Sequence, residues 1–73
     1  MTSQPETITR AIDAALRKAI DAENRAHHLF RAGDFVTAKS FQMIARSWLD
    51  DAIILEQRPT GEGAARLIRE LLA

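Results

Sequence analysis

Apolar residues recur along this chain four and three apart. Ile8, Ile12, Ala15, Ala19, Ala22, Ala26 and Leu29 form one series, and Ala38, Phe41, Ala45, Trp48, Ala52 and Leu55 a second. A closing segment sets Ala64, Leu67, Ile68, Leu71 and Leu72 at i, i+3, i+4, i+7 and i+8. Each pattern is that of an amphipathic helix with one buried stripe. The breaks between the series carry helix punctuation. Ser3-Gln4-Pro5-Glu6 fits a capping box, with Ser3 as N-cap and Pro5 in the tolerant first turn. Gly33 suits the position just past a helix, and Asp34 suits the N-cap of the next. Arg58 precedes Pro59 and is biased out of the α region, after which Thr60 can cap a third helix. The prediction is all-α: one domain over residues 1–73, an up-down-up three-helix bundle. A long antiparallel hairpin spans about 4–32 and 35–57, and a short third helix spans about 62–72.

The first two series also predict a register. Folding about Gly33-Asp34 makes neighbours of residues whose numbers sum to 67, so that Ala26 meets Phe41, Ala22 meets Ala45 and Ala19 meets Trp48. Large side chains then face small ones, as a close helix pair requires, and Trp48 belongs to the core. One flank of this hairpin offers Leu16 and Ile20 from the first helix and Leu49 and Ile53 from the second. The third helix, only about 16 Å long, is expected to cover that apolar strip. Beyond it the same flank turns polar, with Glu23, His27, Gln42 and Arg46.

Composition and charge narrow the function classes. Thirteen of 73 residues are alanine, tyrosine is absent and proline occurs only at 5 and 59, which favours helix. Ten basic and ten acidic residues leave a net charge of zero, which argues against a nonspecific nucleic-acid binder. Many opposite charges lie one turn apart, as in Glu6–Arg10, Asp13–Arg17, Asp21–Arg25 and the Glu62–Arg66–Glu70 ladder, which is the pattern of a solvated surface. Without cysteine there is neither a disulfide nor a thiolate metal cluster. No apolar run reaches the ~18–20 residues that span a membrane, and Met1–Glu6 lacks the features of a signal peptide. The expectation is a small cytoplasmic protein. Arginine outnumbers lysine eight to two, a hint of a bacterial or phage genome.

Three groups merit attention as sites. Glu23 and His27, one turn apart with Gln42 and Arg46 opposite, combine a carboxylate with an imidazole, the makings of proton transfer or a metal ligand pair. A metal needs three or four ligands, and only His28 lies nearby, on another face. A solvated polar patch is the preferred reading, and His27-His28 read as surface residues near a helix end. No phosphate-binding glycine loop or Ser/His/Asp set occurs, so neither an enzyme nor a cofactor or metal is expected. The outer face of the second helix is more suggestive. Val36, Ser40, Met43, Ser47 and Ile54 form a stripe of small or apolar groups, broken by Asp50 and with Ile44 beside it, suited to a helix-in-groove contact or a homodimer seam.

The segment Ala26-x-x-Leu29-Phe30-x-x-Gly33-Asp34-Phe35-x-x-Ala38, followed by Ala45, resembles a tetratricopeptide hairpin. It is also similar to the first hairpin of microtubule-interacting-and-transport domains. Both families bind peptide or helical segments of partner proteins, which the resemblance implies here over residues 26–45. The expected function is thus a noncatalytic protein-interaction module, a small regulatory inhibitor or adaptor of the kind phages and mobile elements carry. Its surface would be Val36, Ser40, Met43, Ile44, Ser47 and Ile54, taking a protein partner or a second copy. The alternative is a nucleic-acid-associated regulator that gains a basic surface as a dimer.

Overall fold

The computed structural model describes residues 5–73, so Ser3 of the expected capping box lies outside the described residues. Three helices follow one another: α1 (Pro5–Arg31), α2 (Phe35–Gln57) and α3 (Glu62–Leu72). They form a three-helix bundle in which α1 and α2 make a long hairpin and α3 packs at its open end. The body measures 49 × 19 × 17 Å.

The turn between α1 and α2 is built by its backbone. Gly33 takes φ +85°, the left-handed conformation that ends many helices at glycine. Its N–H donates to the Phe30 carbonyl (3.1 Å) and that of Asp34 donates to Leu29 (2.9 Å), the paired bonds of a Schellman motif. Asp34 then caps α2, its carboxylate accepting from the Thr37 N–H at 3.2 Å. The chain reverses within three residues and fixes the hairpin register. At the far end Arg58 leaves the helix at φ −134°, as the following proline requires. The cap of α3 differs from expectation. Gly61, not Thr60, is the N-cap, at φ +98° and ψ 178°, and no side chain caps the helix. The chain enters α3 through a backbone conformation that side chains rarely adopt, which leaves Thr60 one residue too early.

Alanine forms the hairpin seam. Ala11, Ala15, Ala19, Ala22 and Ala26 of α1 are buried, as are Ala38, Ala45 and Ala52 of α2. Lys18 Nζ lies 5.2 Å from the Trp48 ring centroid and Arg25 Cζ 5.8 Å from that of Phe41, which agrees with the expected register to within a residue. Trp48, however, is only half-buried. Helices separated by methyl groups leave no room for an indole between them, so Trp48 and Phe41 lie over the rim beneath the two cations.

The third helix packs on the flank opposite to the expected one. Its Ala64, Ile68 and Leu71 join Ala11, Ala15, Ala52 and Leu55 in the core, with Ile8, Ala14 and Trp48 packed against this cluster. Ala14 and Trp48 project from one side of the hairpin, whereas Leu16, Ile20, Leu49 and Ile53 project from the other and remain 40%, 61%, 37% and 50% exposed. The alanine floor at Ala11, Ala14, Ala15 and Ala52 accepts the branched side chains of α3 at short range. The larger residues on the other flank would hold α3 away from the backbone.

Candidate protein-binding surface

Helix α2 buries only Ala38, Ala45, Ala52 and Leu55, and large apolar residues protrude from the rest of it. Of nine exposed large hydrophobics among the described residues, seven belong to this helix: Phe35, Val36, Met43, Ile44, Leu49, Ile53 and Ile54. They fall into two groups. Val36 (80% exposed), Met43 (74%), Ile44 and Ile54 occupy the outer face with the exposed Ser40 and Ser47. All six expected partner-binding residues are thus at the surface. Ser40 turns its hydroxyl back to the Val36 carbonyl (3.4 Å), which leaves a low, smooth step between Val36 and Met43. Ile54 sits apart from the others, in an open groove of about 530 Å³ formed with Arg58, Thr60 and the α3 residues Arg66, Leu67 and Glu70. The stripe therefore abuts α3 at one end, which sequence periodicity alone did not indicate.

The second group, Leu49 and Ile53, lies with Leu16 and Ile20 on the flank that α3 leaves open. At the turn end of the same flank the Phe30 and Phe35 rings meet at 5.9 Å and 46°. Between these apolar ends Glu23, Gln42, Arg46 and Leu49 line a shallow hollow of about 180 Å³. His27 opens instead into a separate hollow with Asn24, His28 and Arg31, so the expected quartet is brought together only in part. Glu23 and Arg46 share their hollow without an ion pair; the ion pairs among described residues are Asp13–Arg17 (3.0 Å), Asp21–Arg25 (3.3 Å) and Arg66–Glu70 (3.3 Å). Glu6–Arg10 and Glu62–Arg66, also one turn apart, do not close to that distance. Among the described residues no three His, Asp or Glu side chains converge as a metal site would require.

Partial burial raises the Asp51 carboxyl above its ordinary value, and the negative charges of Glu70 and Asp50 raise it further. Asp51 stands where α2 faces α3, so this strain concerns the docking of α3. It does not involve the exposed stripe.

No protein-family model matches the chain, and no curated protein or solved structure is significantly similar to it. Among the described residues no helix is long and apolar enough to cross a membrane.

Proposed function

We propose that this protein is a noncatalytic interaction module, a small adaptor or inhibitor whose helix α2 presents its outer face to a partner protein. One observation carries the reading: exposed apolar side chains are concentrated on a single helix. A helix that is apolar on several faces is normally buried, and apolar patches gathered on one element mark interaction sites more often than scattered exposed residues do. Small serines between Val36, Met43 and Ile54 favour a helical partner, because they let a second helix approach while the larger groups act as knobs. Methionine at the centre adapts to different partner shapes. The likeness of residues 26–45 to hairpins that bind partner segments points the same way. A nucleic-acid role has less support, since Arg17, Arg25 and Arg66 are each paired with a carboxylate one turn away.

Met43→Asp tests the proposal. Met43 makes no contribution to the core, so the variant keeps its helical circular-dichroism signal. A tagged wild-type copy recovered from its own cells carries a stoichiometric partner that the Met43→Asp copy lacks. Equal recovery by the two copies, or an unfolded variant, overturns the assignment of this face.

A further inference from the structure

The flank opposite α3 carries a pattern separate from the outer stripe. Along the hairpin it runs from an apolar end (Leu16, Ile20, Leu49, Ile53), through the polar centre of Glu23 and Arg46, to the Phe30–Phe35 pair. Residues of α1 and α2 that meet across the hairpin have numbers summing to 65–69: Phe30 and Phe35 at 65, Lys18 with Trp48 and Arg25 with Phe41 at 66, and Glu23 and Arg46, which share one hollow, at 69. Leu16 and Ile20 are therefore level with Ile53 and Leu49, Glu23 is level with Arg46, and Phe30 is level with Phe35.

We infer that this flank binds a second copy of the same chain, about a two-fold axis parallel to the hairpin. That rotation exchanges the sides while keeping height, so α1 of one copy lies over α2 of the other. Leu16 and Ile20 then meet Leu49 and Ile53 of the second copy, and the two Phe30–Phe35 pairs stack. Glu23 of each copy comes opposite Arg46 of the other, which gives two ion pairs at the centre. A two-fold axis across the hairpin would instead bring α1 over α1. It would then set Glu23 near Glu23, or else match the apolar end to itself and leave the phenylalanines overhanging. Among these residues, only the parallel axis pairs Glu23 with Arg46 and apolar with apolar; at the edge of the apolar end it sets Glu56 level with Asp13 of the other copy, a carboxylate already paired with Arg17.

Two further features favour a second copy over a foreign helix. Ten positive and ten negative side chains give each chain no net charge, so copies approach without overall repulsion. The long face of a body 49 × 19 Å across is commensurate with the ~800 Å² that each side of a standard stable interface contributes. The product is a four-helix bundle in which every neighbouring pair is antiparallel, with α3 of each copy on the outside. Both outer stripes stay exposed, so this inference does not depend on the proposed function.

Sedimentation equilibrium tests it. Wild type should have twice the 8.1 kDa chain mass at micromolar concentration. Ile20→Glu, at the most exposed position of the apolar end, should be monomeric with its helical signal retained. Glu23→Arg and Arg46→Glu should each raise the dimer dissociation constant at least tenfold, and the double exchange should restore it to within a few-fold of wild type. These two residues are exposed, so the exchange remains informative even if Ile20→Glu unfolds. A wild type monomeric at hundreds of micromolar overturns the inference. So does a dimer that survives Ile20→Glu, gains nothing from the double exchange, or dissociates on Met43→Asp, which would place the seam on the outer stripe. Loss of partner capture by Met43→Asp with the dimer intact separates the two surfaces.

Discussion

At the scale of single residues, stability rests on a few unequal positions. Among the described residues Leu55 is the one large side chain that is fully buried, and it stands where all three helices meet. Truncation to alanine leaves a cavity among the alanines of the hairpin and Ile68 and Leu71 of α3, so Leu55→Ala should cost about 2–5 kcal/mol. That is a large share of the ~4–11 kcal/mol expected for a chain of this length. Urea unfolding followed by Trp48 fluorescence measures it. Trp48→Ala should cost less than the ~3–5 kcal/mol of a fully buried aromatic, because the indole lies half-exposed beneath Lys18. Gly33 contributes through its backbone. Space for a Cβ exists around it, but φ +85° disfavours one, so Gly33→Ala should lose about 1–2 kcal/mol through conformation alone. The same unfolding experiment checks it, and an unchanged midpoint would mean that the turn relaxes at no cost.

At the scale of elements, helix boundaries were legible because their signals are local. Gly33, Asp34 and Pro59 each act within a turn of their own position, and the end of α1 and both ends of α2 fall where those residues imply, whereas α3 is entered through Gly61 and not through Thr60. The register was legible to within a residue, but not the place of the large residues, since the alanine seam leaves Phe41 and Trp48 over its rim and not between the helices. The side on which α3 docks was not. Both flanks carry apolar groups, and periodicity measures how apolar a face is, not how closely another helix can approach it. The alanine floor beneath α3 decided the matter, whereas Leu16, Ile20, Leu49 and Ile53 looked the better site by hydrophobicity. The outer stripe was legible as exposed, but its junction with α3 at Ile54 depends on that docking. The docking also has an electrostatic cost at Asp51. Its carboxyl titrates above the ordinary range because of burial and then of Glu70 and Asp50, so the folded state binds the proton more tightly than the unfolded state. Asp51 therefore lowers stability progressively as pH rises from the ordinary carboxylate range through the raised value. Asp51→Asn removes the charge, so the variant should melt above wild type at pH 7 and lose that advantage by pH 3. Melting curves at the two values measure this, and an equal offset at both would trace it to something other than the proton.

At the scale of the whole molecule, the bundle divides into a base and an arm. The base holds the contacts of all three helices around Ala11, Ala15, Ala52, Leu55, Ile68 and Leu71. Towards the turn only two helices remain, joined by Ala19, Ala22, Ala26, Ala38 and Ala45. Burying an alanine methyl contributes about 0.8 kcal/mol, while ordering each backbone residue costs about 1–2 kcal/mol. The arm therefore borrows its order from the base and from whatever lies on its flank. In the monomer, amides of residues 22–26 and 38–45 should exchange hydrogen faster than those of residues 11–15 and 52–55, reflecting local opening of the arm. Pairing through the Glu23–Arg46 flank covers the arm along its length and changes this ranking in a concentration-dependent way. Above the dissociation constant the free-monomer fraction falls as the square root of total protein, so each tenfold rise should add about 0.7 kcal/mol of protection to the arm, half the ~1.4 kcal/mol of a tenfold change in an equilibrium constant. Hydrogen-exchange mass spectrometry at 1 and 100 µM reads this directly. Exchange in the arm that is rapid and independent of concentration would leave the open flank without a second copy, whereas protection that climbs with concentration and vanishes in Ile20→Glu would link folding of the arm to self-association.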